Sequence, residues 1–527
     1  MSRGATLLGG TRTQLLARYL FVSGLLAHLA AAAVLVHFKS TGVTAHYYVN
    51  KVADRLDRDS SPTRHVARFT RFLLLDSGLL SDPATLSLPS FPGPDAWPAQ
   101  ATRAEGFRRL RFDERGVPLQ SSPGPFRPGV ADRVIRVTDA RSLQRALKAA
   151  EAGDVITLEA GVYRFGQRRI SLGSGGTPAA PIVVRAERLG DAVLELDTLE
   201  GFFVDSPYWL FENLEIRGSC SNDSRCEHAF HVVGEAHGTT LRNNRLIDFN
   251  APLKVNGSFG GGRPRFPDYG LVHNNAVFNT RIRNTGNPVT LLNINAGNGW
   301  VVSANFIADF AKGRSDRVSY AAFMKSNSEG GIFERNLVVC HWKLPLDEGV
   351  RVGLSFGGGG SSASISRGGS NVVEHSGGIM RHNVIARCPR DVGIYLNRAA
   401  GTRIRNNLLV GTRGIDVRFG TSWAFIADNV LDGRIFARDG GSFRATNNLV
   451  EESCGWIDRV RGRCGSDYWY AAPLRGDLRL VALETFLGMR RSAEPTGLDF
   501  CGRPRPERAD IGPLQYGSSA LCLPASP

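Results

Sequence analysis

Seven lysines stand against 57 arginines in this chain of 527 residues. One of them, Lys325, lies in "AAFMKSNSEGGIFERNLVV" (Ala321–Val339), between an apolar run and a Gly-Gly turn. A lysine acts as a proton-abstracting base only where burial or a neighbouring cation lowers its pKa towards neutrality. Such a base suits removal of the proton beside a carboxylate. That reaction also needs a cation or donor for the developing enolate and an acid for the leaving oxygen. Arg351 in "RVGLSF", Lys254 in "APLKVNG" and His341 after "NLVVC" are of the right types for those tasks. Asp391 and Asp416 form a second constellation, eight and nine residues after Asn383 and Asn407. Two carboxylates on neighbouring strands suit glycoside hydrolysis, but ion pairing with Arg390, Arg413 or Arg418 explains them equally well. His228 and His231 in "CEHAFHVVG" could line a groove, but packing as hydrogen-bonded side chains is the favoured reading.

Whether these groups meet depends on the elements that carry them. An Asn-x-hydrophobic pattern recurs at Asn213, Asn244, Asn275, Asn305, Asn336, Asn383, Asn407, Asn429 and Asn448, at intervals of 31, 31, 30, 31, 47, 24, 22 and 19 residues. Short strands repeating at this period are the mark of a parallel β-helix solenoid. Coils stacked about 4.8 Å apart bring equivalent asparagines into a ladder, where side-chain amides satisfy the backbone groups exposed at a sharp corner. Ahead of the repeat, "TDARSLQRALKAAEAGD" reads as a short helix with Asp139 at its N-cap, Leu143 and Leu147 on one face and Gly153 at its end. It would cap the open end of the solenoid.

Phasing the coils by their asparagines places Asn295 and Lys325 on adjacent rungs, each 20 residues past its ladder residue. Strict alternation then points Asn293, Asn295 and Lys325 outward. Aligning Leu354 with Met324 sets Ser355 beside Lys325 and Arg351 on the same face. The expected groove has Lys325 and Arg351 as catalytic residues, with Asn293, Asn295, Lys254, Ser355 and His341 binding substrate. The Gly/Ser-rich stretch 353–371 reads as a loop beside or over that groove.

The repeat, the opening "SLQRALKAAEAGDVITLEAGVYRF" and the closing "GLDFCGRPRPERADIGPLQY" resemble the right-handed parallel β-helix superfamily of pectate lyases, alginate lyases and chondroitinase B over residues 134–515. The segments "MKSN" and "RVG" are similar to the Lys-Ser and Arg-Gly segments of the alginate lyase and chondroitinase B group. The resemblance implies that Lys325 is the base and Arg351 the proton donor, on a sheet that binds an extended sugar chain. That group carries two glutamates upstream of the lysine, holding calcium. Here "SDRVSY" supplies only Asp316, so calcium is a candidate cofactor with no assigned metal ligands, and Lys254, Arg351 or His341 would take over its charge. The Asn-Thr-Asp, Asp-Asp and Gly-His-Gly segments of polygalacturonase-like hydrolases are absent.

Arg3, Arg12 and Arg18 precede an uncharged apolar run, Tyr19–Phe38, long enough to cross a bilayer. The expected organisation is a cytoplasmic tail (1–18), a transmembrane signal anchor (19–38), a membrane-proximal helical and Pro-rich region (39–133), the β-helix (134–515) and a C-terminal tail (516–527). The protein would sit in the inner membrane with the β-helix in the periplasm or outside; a cleaved signal peptide is the alternative. All eight cysteines follow residue 219, and "CSNDSRC" and "CGWIDRVRGRC" read as disulfide-closed loops. The net charge of +15 is dispersed, which argues against nucleic acid and suits an acidic polymer. The expectation is an all-β, monomeric, exported uronate polysaccharide lyase. A non-catalytic polysaccharide-binding or guiding β-helix is the main alternative, with a glycoside hydrolase or C5-epimerase behind it.

Overall fold

The computed structural model describes residues 133–514 except 260–262, 346–348, 456, 458–460, 462, 483–497, 504 and 507–509, plus the backbone of two short paired strands, Arg111–Phe112 and Pro118–Leu119. The chain divides into two compact units, Met1–Leu80 and Ser81–Pro527. The expected membrane segment (19–38) lies outside the described residues. Among those residues no helix is long and apolar enough to cross a membrane.

Asparagine side chains set the architecture. Asn244 donates its Nδ2 to Oδ1 of Asn275, which also accepts the Asn244 backbone N–H, and the pattern repeats through Asn305, Asn336, Asn383, Asn407 and Asn429 to Asn448. Each amide thus closes one corner and ties it to the next coil. The ladder begins at Asn244, one coil later than the sequence suggests. Glu215 pairs with Arg245, so Leu214 occupies the first ladder position. Asn213 instead starts a second column one residue earlier: its Oδ1 accepts from Asn243 Nδ2, and Asn243 Oδ1 accepts in turn from Asn274 Nδ2. Residues of this second column have positive φ, for example 58° at Asn213 and 52° at Asn243. That conformation is least costly for glycine and asparagine.

Three parallel sheets wrap the core, with twelve, eleven and ten strands among the described residues. Ten coils contribute one strand to each; Val134–Val137 and Ser442–Thr446 extend the first sheet, and Leu449–Val450 extends the second. The Asn corner joins the first sheet to the second, and longer connections lead to the third and back. This all-parallel stack is the solenoid expected from the repeat and fits a right-handed β-helix. Helix Ala140–Ala149, capped by Asp139, buries Leu143, Ala146 and Leu147 against the first coils. It ends at Ala149, before Gly153. The chain after residue 466 returns over the outer face of the second sheet, burying Trp469, Tyr470, Leu478, Ile511 and Leu514 there. Disulfides Cys220–Cys226 and Cys454–Cys464 close the two local loops, and Cys340–Cys388 ties successive coils.

The third sheet departs from simple alternation. Ala229 and Phe230, Leu291 and Leu292, and Ala321 and Ala322 are consecutive residues that both enter the core. These rungs therefore bend in mid-strand, and the residues immediately before and after the inward pair face away from the core.

Candidate functional groove

After the bend, outward residues of successive third-sheet rungs form a column. His231 lies beside Lys254, Lys254 beside Asn293, Asn293 beside Phe323, Phe323 beside Ser355, Ser355 beside Tyr395 and Tyr395 beside Asp416. A second column, two residues on, pairs Asn295 with Lys325 and Asn397 with Arg418. The adjacency of Asn295 and Lys325 is the one expected from the asparagine phasing. Ser355 is outward too, but it neighbours Phe323 rather than Lys325, two residues from the expected register.

The centre of the groove holds two ammonium groups on a bed of amides. Lys254 Nζ donates to Asn293 Oδ1 at 3.2 Å, and Asn295 Nδ2 donates to the same oxygen at 2.8 Å. Burial and then the neighbouring Lys325 ammonium lower the Lys254 pKa to about 8, against the pull of Glu227. Lys325 Nζ donates to the Gly359 carbonyl at 2.8 Å and lies 4.6 Å from the centre of the Phe323 ring. Its pKa is also lowered by burial, but Glu374 opposes the shift. The Lys325 ammonium is thus one of the groups that lower the Lys254 pKa, while Glu374 favours the charged form of Lys325.

One rung before Lys254, His231 sits between two acceptors. Its Nδ1 is 2.8 Å from Glu200 Oε1, and its Nε2 is 2.8 Å from Asn256 Oδ1. Asn256 Nδ2 donates to the Gly257 carbonyl, which fixes the amide with its oxygen towards the ring. Both ring nitrogens thus face an acceptor, a carboxylate on one side and an amide carbonyl on the other. His228 accompanies it, hydrogen-bonded to Ala251 O, with burial and then His231 pushing its pKa down to about 4. By strict alternation His228 and His231 would fall on opposite faces. The bend at Ala229–Phe230 turns both outward.

Arg351 and His341 are not in this groove. Gly353 and Leu354 point inward together, Gly353 lying against the Ile385 side chain. This reverses the alternation before them, so Arg351 neighbours Ser319, which in turn neighbours the core residue Val289. The Arg351 guanidinium is buried at the corner between the second and third sheets. There it donates to Cys340 O at 2.7 Å and Pro345 O at 3.3 Å, and lies 4.0 Å from Asp309. His341 is buried in the same corner, its pKa driven down to about 2 by burial and by Arg351. Both residues hydrogen-bond within a turn, and neither lies on the outward face on which the sequence pattern puts Arg351.

Three rungs beyond Lys325 the groove changes character. Asp416 pairs with Arg438 at 2.7 Å, and the pKa of nearby Asp391 is raised to about 6, mainly by burial. Asp416 is thus ion-paired, but with Arg438 on the next rung rather than with Arg390, Arg413 or Arg418. Among the described residues no group of three or more Asp, Glu, His or Cys side chains is arranged to hold a metal ion. The donor set does not fit a calcium site there, and no step is derived through one.

No family profile and no curated protein matches this chain. Solved structures do. Pectate lyase Pel9A is 15% identical, with 74% of this chain and 98% of that one covered at a TM-score of 0.49. A PL6 family polysaccharide lyase from Pseudopedobacter saltans is 15% identical over 62% and 94%, at a TM-score of 0.32. An alginate lyase from Paenibacillus sp. is 14% identical over 61% and 96%, at 0.30. These likenesses are of stacked-coil fold alone, and the assignment of the groove rests on its own residues.

Proposed function

We propose that the third-sheet groove cleaves an acidic polysaccharide by β-elimination at a uronate residue. The observation that carries this reading is the Lys254–Lys325 pair: two half-buried ammonium groups, both with lowered pKa, on one outward face. In this reading the Lys325 ammonium and the Asn293 and Asn295 amides receive the uronate carboxylate. Neutral Lys254 Nζ takes the C5 proton, and Lys325 stabilises the enolate that forms. The C4–O bond then breaks, and its oxygen takes a proton from His231 Nε2, leaving an unsaturated uronate at one new chain end. The base differs from the one expected on sequence grounds, because Lys325 is held by Gly359 and Phe323 whereas Lys254 titrates near 8. The disulfides accord with an oxidising, exported setting.

The test is ultraviolet absorbance of the unsaturated product, with alginate, polygalacturonate, chondroitin, dermatan and heparan offered in turn. A signal lost in both Lys254→Ala and Lys325→Ala supports elimination in this groove. A folded protein silent on all five directs attention to polysaccharide binding without cleavage.

A further inference from the structure

The outward face of the first sheet changes along the solenoid. Over the early and middle coils its arginines are matched by carboxylates: Arg136 with Glu159 at 2.8 Å, Arg242 with Glu212 at 2.6 Å and Arg381 with Glu334 at 2.7 Å. Near the C-terminal end the carboxylates give way to two aromatic side chains. Trp423 and Phe425 are 46% and 40% exposed and stand side by side on one strand, ring centres 5.6 Å apart. Phe425 lies between Arg403 and Arg444 on the neighbouring rungs. Both arginines are exposed, and neither forms an ion pair among the described residues.

Trp423 has a built seat. Its rung neighbours are small, Ser442 on one side and Gly401 on the other. A Cβ at Gly401 would meet the indole at 3.3 Å, so the ring leans over bare backbone while remaining exposed. Beneath it Ala424 and Ile426 anchor the strand in the core. The result is an aromatic platform flanked by two exposed guanidinium groups.

We propose that this platform is a second binding surface for an acidic polysaccharide, separate from the third-sheet groove. A sugar ring stacks its C–H face on Trp423, and uronate or sulfate groups pair with Arg403 and Arg444. Charge complementarity selects this occupant: a second copy of the same face would set arginine against arginine. The class of ligand rests on the function proposed above, but the surface does not. By holding a long chain at a second point, it raises the effective concentration of that chain at the groove.

The experiment uses the full chain carrying Lys254→Ala and Lys325→Ala, so that no substrate is consumed. Its migration is followed in gels containing polygalacturonate, alginate or heparin. Retardation by at least one polymer is expected, and adding Trp423→Ala is expected to weaken it about tenfold in apparent Kd with the melting temperature unchanged. Arg403→Ala should act in the same direction. Retardation insensitive to Trp423→Ala, or absent with all three polymers, overturns the proposal. So does a Trp423→Ala effect confined to sedimentation, which would make the face a self-association surface. Absence of any elimination by the native chain bears on the groove reading and leaves this measurement intact.

Discussion

The Lys325 ammonium and the Gly359 carbonyl are joined by a 2.8 Å hydrogen bond that spans 34 residues of chain. The glycine-rich stretch that follows the rung Val350–Phe356 is therefore a strap fastened along the groove. Ser326 Oγ meets Ser361 Oγ at 2.8 Å, the Asn327 amide donates to Arg367 O, and Arg367 reaches back to Ala296 O and Asp268. Its backbone is what orients the lysine.

Gly357 is the pivot of that strap. Its φ is +73°, and a Cβ there would fall 1.8 Å from the Asn397 carbonyl oxygen. Gly360 has a similar φ of +75° but nothing within 4 Å. Gly360→Ala should cost about 1 kcal/mol in denaturant unfolding, the ordinary penalty for a left-handed alanine. Gly357→Ala should cost clearly more and should also lower turnover, because Lys325 loses its anchor. Equal costs for the two would deny the strap its role.

The pH dependence of activity should follow Lys254. As the base it must be neutral, so kcat/KM should rise through an inflection near pH 8. Removing the Lys325 cation relieves part of the repulsion that lowers this pKa. Residual activity of Lys325→Ala should thus inflect at higher pH.

Lys254 also links pH to stability. Its folded pKa of about 8 lies below the ordinary 10.5, so between those values the unfolded chain binds more protons and stability rises with pH. Below pH 8 the burial penalty is fully present. Lys254→Met should stabilise the fold at pH 7 by about 1–3 kcal/mol while abolishing turnover. Urea midpoints for the two proteins should converge towards pH 10.5.

Acid should act through buried imidazoles. Burial lowers the pKa of His228 to about 4 and those of His273 and His375 to about 3. The unfolded chain takes up protons first as pH falls from 6.5, and stability is lost progressively down to about pH 3. His375 stacks on Phe356 with ring centres 4.0 Å apart, so His375→Phe should flatten part of that slope. An unchanged slope would place the acid sensitivity in carboxylates instead.

Arg351 offers a contrast between support and chemistry. Arg351→Ala strips a donor from Cys340 O and from Pro345 O and removes a cation that lies 4.0 Å from Asp309. It should destabilise by about 3 kcal/mol, with activity of the folded fraction retained. A catalytic role would reverse that pattern, with full stability and no turnover.

The asparagine spacing exposed the solenoid because one side chain recurs at every corner for one physical reason. Asn295 and Lys325 came into register for the same cause. The site was less legible where backbone geometry intervened. Adjacent inward residues such as Leu291 and Leu292 look like any apolar pair in a sequence, yet they reverse the face of everything before them. That reversal buried Arg351 and turned His228 and His231 outward together. Asn213 misled for a related reason: an asparagine that suits a left-handed turn has the same letter as one that builds the ladder.

The ladder bond between Asn336 and Asn383 spans 47 residues, and the one between Asn429 and Asn448 spans 19, yet both place the backbone N–H about equally far from its acceptor, 3.0 and 2.9 Å. The stack counts turns and is indifferent to how much chain each turn consumes. Loops at the rim can therefore lengthen, shorten or change sequence while the coils above and below stay in step. A new substrate preference can be written into such a rim without renegotiating the interior.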